Sequence, residues 1–250
     1  MVEGTRRVSD VKAGKEATVA HVYEASMAVE GACSLTLDEE QLASAAKRLL
    51  AGDLALLPTE TVYGVGVAVN ACLDSGGLPG SETGYGRIFT LKRRDTAQTV
   101  PWLVDGPDAL DRYGASVPDA IRTLAAECWP GALTLVVPAA ACVPHFMRAA
   151  DGTVALRASA SPVIQDLIRA TGSPLAVTSA NTHGYPAPAS FAEVESRILE
   201  GVDLAVDAGE TACRDASTIV AVRDGAPVIL RQGALPAETI ARLLPVKTVR

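Results

Sequence analysis

"LLPTETVYGVG", residues 56–66, joins two patterns that seldom meet. An apolar run ends at Pro58 and passes directly into Thr59, Glu60, Thr61 and Tyr63, with Gly64 and Gly66 behind them. A strand that ends this way can bring side-chain donors and bare backbone up to a small polar ligand at the edge of a sheet.

Working upstream, Thr36 and Glu39 have the spacing of a helix capping box. Leu42, Ala45, Ala46, Leu49 and Leu50 then recur at helical intervals until Gly52, which predicts an amphipathic helix handing over to the strand "LALLP" (54–58). Downstream, "PWLVD" (101–105), "ALTLVVP" (132–138), "TVALRA" (153–158), "PLAVTSA" (174–180), "DLAVDAG" (203–209), "STIVAV" (217–222) and "PVILRQG" (227–233) read as strands. Helical patterns run over 119–128, 162–171, 191–199 and 236–244. The last two strands, joined through a D-G turn, read as a hairpin. Interleaving of this kind predicts a single α/β domain, a twisted mixed sheet flanked by helices. Residues 1–34 show no sustained periodicity and read as an N-terminal extension, leaving residues 35–245 as the one domain. Residues 71–86, with five glycines and a proline, read as a mobile loop.

Composition narrows the function classes. With 48% hydrophobic and 20% charged residues, the 250-residue chain is a folding sequence and not a disordered one. Its longest apolar-leaning stretch, 132–147, is broken by Pro138 and Pro144, so no membrane span is expected. Arg6, Arg7, Lys12 and Lys15 are followed by no apolar block, so the expected location is the cytoplasm. Five scattered cysteines and three separated histidines have neither disulfide nor metal-ligand spacing, and no metal site is predicted from protein residues. A net charge of −7 weighs against wholesale electrostatic binding of DNA or RNA. Lys92 is the sole lysine between Lys47 and Lys247. A compact ammonium there suits a phosphate, although a solvated basic turn is the plainer reading.

Familiar nucleotide and hydrolase motifs fail. The third position after Gly66 is Val69, so Gly64 and Gly66 do not begin a dinucleotide fingerprint. No phosphate-binding G-x-x-x-x-G-K-[ST] and no G-x-S-x-G is present, and Ser44 to Lys47 has S-x-x-K spacing only within a helix. What remains is a set of polar residues at strand ends: Thr59, Glu60, Thr61 and Tyr63, then Thr178, Ser179 and Asn181, then Ser217 and Thr218, then Arg231. Ligands of open α/β sheets sit at strand carboxyl ends, so these residues suggest one shared site, though each taken singly suits turn or cap chemistry.

In their order, "LPTETVYGVG", "IFTLKRR" with its K-x-R, "WPGALTLVV", "VALR", "PLAVTSAN", "STIV" and "ILRQG" resemble the YrdC-like family of threonylcarbamoyl-AMP synthases, over residues 35–235. The resemblance implies a YrdC-like nucleotide-binding catalytic domain that joins L-threonine, bicarbonate or CO2, and ATP with Mg2+ into threonylcarbamoyl adenylate and pyrophosphate. It also implies a place in tRNA modification at adenosine 37, with partner proteins there. Lys92 and Arg94 would be the catalytic pair on the ATP phosphates, with Thr134, Ser179, Asn181 and Arg231 also on the nucleotide. Thr59, Tyr63, Arg157 and Ser217 would hold the substrate. The chain departs from the family pattern at Asp95 after K-x-R, at Asp105 where a histidine is usual, and at Ser159 and Ser161 in place of Pro and His. A helix that usually precedes K-x-R gives way to the glycine-rich run. Two alternatives therefore stay open: a carbamoyl-adenylate-forming or carbamoyl-transferring enzyme acting on another amine or alcohol, and a non-catalytic nucleotide- or RNA-binding module.

Overall fold

The structure is a computed structural model in which residues 20–27 and 35–248 are described. Among them the chain forms β1 (His21–Glu24), β2 (Ser26–Met27), β3 (Leu35–Thr36), α1 (Glu39–Leu50), β4 (Ala55–Pro58), β5 (Tyr63–Ala68) and α2 (Gly84–Lys92). There follow β6 (Trp102–Val104), α3 (Ala109–Tyr113), α4 (Asp119–Cys128), β7 (Leu133–Pro138), β8 (Thr153–Ala158), α5 (Pro162–Thr171) and β9 (Leu175–Ser179). The chain continues through α6 (Ser196–Glu200), β10 (Leu204–Asp207), β11 (Thr218–Arg223), β12 (Ala226–Arg231), α7 (Ala237–Leu243) and β13 (Lys247–Thr248). Eleven strands make one mixed sheet in the order β1-β10-β4-β5-β9-β6-β8-β7-β11-β12-β13, and β2 pairs with β3 apart from it.

The stretch 56–66 is a hairpin. β4 and β5 are antiparallel, with Leu56 opposite Val65 and Pro58 opposite Tyr63. Thr59 pins the turn between them: its Oγ1 donates to the Val62 carbonyl (2.6 Å) and accepts from the amides of Thr61 (3.1 Å) and Val62 (3.2 Å). The hydroxyl that looked like a ligand donor thus first satisfies its own turn.

Both faces of this hairpin are buried, as its near-continuous apolar sequence requires. Leu56 with Tyr63, Val65 and Val67 packs on one face against Ile88 of α2, in the same cluster as Ile121 and Leu124 of α4. Ala55 and Leu57 pack on the other against Leu49 of α1 and Ile164 and Leu167 of α5. Each fully buried Leu or Ile of these layers contributes about 1.5–3 kcal/mol. The second layer includes no residue of β7, β8, β11 or β12 among the described residues, so α1 and α5 roof only half of that face. The other half is left open as a concave floor. No described helix is long and apolar enough to cross a membrane.

Four local expectations are corrected. The capping box of α1 is Asp38 with Gln41, whose amide reaches Asp38 Oδ1 at 2.8 Å and whose Oε1 accepts from the Asp38 amide at 3.1 Å. Thr36 is taken instead into β3, opposite Ser26. The glycine-rich run is not loop to its end: residues 69–75 form a 3-10 segment and α2 begins at Gly84, so a helix does precede Lys92 and Arg94. The helical pattern over 191–199 is broken into a 3-10 turn, Phe191–Glu193, and α6. Residues 21–24, inside the stretch assigned to an extension, form an edge strand in parallel register with β10. The rest of that assignment, at 1–19 and 28–34, falls outside the described residues.

Candidate active site

The open floor holds a cavity of about 390 Å³. Side chains two apart on a strand share a face, and the lining follows that rule: Pro101 and Leu103, Ala155 and Arg157, Thr134 and Val136, Ser217 and Ile219. The site therefore extends across the face of the sheet, and several of its polar residues reach it from strand carboxyl ends, as expected: Thr59 after β4, Arg157 in β8, Ser179 in β9 and Arg231 in β12. Register brings distant sequence together, since Arg157 is opposite Leu103, Thr134 opposite Ile219, and Ile219 opposite Arg231. The floor is apolar, and cations and hydroxyls stand on its rim.

Eight of the ten residues singled out from sequence line this cavity: Thr59, Tyr63, Arg94, Thr134, Arg157, Ser179, Ser217 and Arg231. Lys92 and Asn181 do not. They stand behind Ser179, where the Lys92 ammonium donates to the carbonyl of Ser179, to the carbonyl of Asn181 (2.8 Å) and to Asn181 Oδ1 (3.2 Å). Burial first, and the neighbouring Arg94 guanidinium second, pull the Lys92 pKa down to about 8 against the opposing Glu195 carboxylate. Tyr63 lines the cavity with its hydroxyl already engaged, donating to the Gly209 carbonyl (3.1 Å) and accepting from the Ala208 amide (2.9 Å).

Three guanidinium groups face the same space from different elements. Arg94 follows α2, whose last turn is closed by Arg93 in the left-handed region at φ 50°. That cap turns the chain so that Arg94 NH1 donates to Thr178 Oγ1 (2.9 Å) and NH2 to the Thr99 carbonyl (2.7 Å), while its Nε is buried without a hydrogen-bond partner. Arg231, at the end of β12, donates through NH2 to the Ser217 carbonyl (2.7 Å), and Ser217 Oγ lies 2.8 Å from Thr134 Oγ1. Burial lowers the pKa of both Arg94 and Arg231, so a bound anion would be favoured at each.

Arg157 is the exception, because it has a carboxylate. Its NH2 lies 2.6 Å from Glu60 Oε1, with Arg157 buried and Glu60 mostly so, and its Nε donates to the Gly131 carbonyl (3.2 Å). The second oxygen of Glu60 accepts from Ser159 Oγ. Burial would raise the Glu60 pKa, and Arg157 with Ser159 outweighs it, so the carboxylate is held below its ordinary range. Sequence reasoning placed Glu60 among strand-end polar residues but gave it no partner, since Arg157 lies far along the chain; the signal was an acid between two threonines just after a buried strand. Three guanidiniums and, among the described residues, no carboxylate line the cavity, with Glu60 behind Arg157 and Asp215 near Arg231, so its lining is positive in a chain whose net charge is −7.

The departures from the family pattern point away from the cavity. Asp105 is paired with Arg112, which lowers its pKa, and it is not a lining residue. Ser159 is turned to Glu60, and Ser161 Oγ donates to the Pro58 carbonyl (2.9 Å). Among the described residues no group of three or more His, Cys, Asp or Glu side chains could hold a metal ion.

Comparison with known proteins gives a consistent set of likenesses. The family model Sua5/YciO/YrdC, described as "Telomere recombination", matches residues 47–233. A threonylcarbamoyl-AMP synthase of Pyrococcus abyssi is 33% identical over 83% of this chain and 58% of its own length. One of Bacillus subtilis is 30% identical over 84% and 58%. The crystal structure of Pyrococcus abyssi Sua5 complexed with L-threonine superposes with a TM-score of 0.79 at 29% identity, covering 91% of this chain and 62% of that one. This chain thus spans about three-fifths of the length of these relatives.

Proposed function

Because this chain belongs to the Sua5/YciO/YrdC family, we propose that it is an ATP-dependent threonylcarbamoyl-AMP synthase. It joins L-threonine, bicarbonate or CO2, and ATP into threonylcarbamoyl adenylate and pyrophosphate, a product that serves tRNA modification. The observation that carries this reading is one cavity in which Arg94, Arg157 and Arg231 converge with Thr134, Ser179 and Ser217 over an apolar floor.

The threonine amine takes up CO2 as a carbamate, and a carbamate oxygen attacks the α-phosphorus of ATP. The bond from that phosphorus to the bridging oxygen breaks, and pyrophosphate leaves with the electron pair. Such a transfer needs reactants held in line and cations where negative charge gathers, more than any covalent help. Arg94, half-buried, and Arg231, exposed at the rim, each favouring an anion, would take the phosphates, with Thr134 and Ser179 orienting the nucleotide and Asn181 acting only by holding the backbone beside Ser179. Arg157, held by Glu60, would present a fixed guanidinium to the carboxylate of the amino acid beside Thr59, Tyr63 and Ser217. Mg2+ would arrive with ATP and supply charge neutralisation on the phosphates. Partner proteins would be those that carry the adenylate to tRNA.

That Asp105, Ser159 and Ser161 are each bonded inside the protein supports threonine over another acceptor, since none adds a new charge to the cavity. The test is pyrophosphate release from ATP and bicarbonate with a panel of amines and amino acids. L-threonine should be strongly preferred; equal or greater release with another amine would assign a different acceptor, and none with any amine would leave only a nucleotide-binding role.

A further inference from the structure

We infer that Lys92 is a positioning residue: its ammonium fixes the backbone of residues 179–181 at the cavity rim, and it shapes the nucleotide site through that segment instead of touching a phosphate. What the segment binds rests on the function proposed above; what Lys92 does rests on geometry alone.

An ammonium has three N–H donors. All three meet protein oxygens, on the carbonyl of Ser179, the carbonyl of Asn181 and Asn181 Oδ1. Lys92 is 2% exposed and does not line the cavity, whereas Arg94, two residues on, does. The grip is double, because the Lys92 carbonyl also accepts from the His183 amide (2.8 Å). Neighbouring polar groups are engaged too: the Ala180 amide with the Tyr63 carbonyl (2.8 Å), the Thr182 amide with Glu195 Oε1 (2.7 Å), and Asn181 Nδ2 with the Tyr185 carbonyl (2.6 Å). Ser179 is left with its side chain toward the cavity. The choice of residue follows from the geometry. Three oxygens converging on one point suit a compact tetrahedral donor, and a planar guanidinium cannot serve them, so a chain that uses arginine almost throughout keeps a lysine here. The charged groups facing it are Arg94, which repels it, and Glu195, which attracts it.

Hydrogen exchange on the ligand-free protein tests this without reference to catalysis. In Lys92→Met, amides of Thr182 and His183 should exchange about tenfold faster or more, while Val65 and Ala176 in the sheet keep their protection. The wild-type protein supplies the second reading. With 15N-labelled lysine and saturating ATP, the Lys92 Nζ signal should show no scalar coupling to phosphorus. Unchanged exchange at Thr182 and His183, or a phosphorus coupling at Lys92 Nζ, would overturn the inference. If the variant does not fold, the wild-type spectrum decides alone; if ATP does not bind, the proposed function fails while the exchange result still decides the role of Lys92.

Discussion

Glu60 is the acid inside "PTET", and it holds the buried guanidinium of Arg157. Glu60→Ala would leave a buried guanidinium uncompensated, an effect of about 3–5 kcal/mol. Calorimetry should show a melting temperature lower by roughly 10 °C; a change under about 2 °C would mean that water or another group replaces the carboxylate. Since Arg157 and Ser159 hold the Glu60 carboxyl below its ordinary value of 4.5, the ion pair contributes fully above that value and is lost as pH falls through the lower, folded one. Acid unfolding of Glu60→Gln should therefore lack that part of the wild-type pH dependence. For Lys92 the pH dependence concerns the site and not the stability of the fold. Its ammonium is complete below about pH 8 and lost above it, so ATP affinity measured without threonine should decline as pH rises through about 8. Arg94→Ala should lower turnover on the order of a hundredfold, the effect of losing one preorganised donor. Residue types were legible in the sequence and residue partners were not. A lone lysine and a strand-end arginine stand out by composition, whereas the Glu60–Arg157 pair and the hold of Lys92 on Ser179 and Asn181 exist only once strands far apart in the chain are side by side.

At the scale of elements, periodicity predicted helices well where the apolar face was continuous. The patterns over 119–128 and 162–171 became α4 and α5 with the same limits. Glycine misled where tertiary packing demanded it. A Cβ on Gly84 would come within 2.2 Å of the Gly52 carbonyl, and one on Gly86 within 2.1 Å of the Gly80 carbonyl, so both glycines admit neighbouring backbone to the first turn of α2. Thr83 caps that turn, accepting from the Gly86 amide at 3.1 Å. Gly80, in the same run, has open space. Gly86→Ala should thus cost about 1–3 kcal/mol, as overpacking does, and Gly80→Ala about 0.5 kcal/mol or less in denaturant titration. Equal effects would deny the close approach. Gly66 has the same meaning within the sheet: a Cβ there would meet the Ala176 carbonyl at 2.3 Å, so Gly66→Ala should part β5 from β9 and weaken ATP binding along with stability.

For the whole molecule, the decisive feature is an eleven-stranded sheet whose second face is half roofed. α1 and α5 bury the hairpin and its neighbours, and the uncovered strands supply the floor of the cavity. An α/β class with a mixed sheet could be read from alternating periods and one D-G hairpin. Strand order and register could not, because pairing between β6 and β8 or β7 and β11 leaves no local mark, and that is why the strand-end residues could be named but not the face on which they meet. The central claim, that this face joins a nucleotide to a carbamate of threonine, is tested most directly by mass spectrometry of a reaction with ATP, L-threonine and 13C-bicarbonate. The account predicts threonylcarbamoyl adenylate carrying one 13C in amounts matching the pyrophosphate released. Pyrophosphate accompanied by AMP alone, or no labelled adenylate at all, would contradict it.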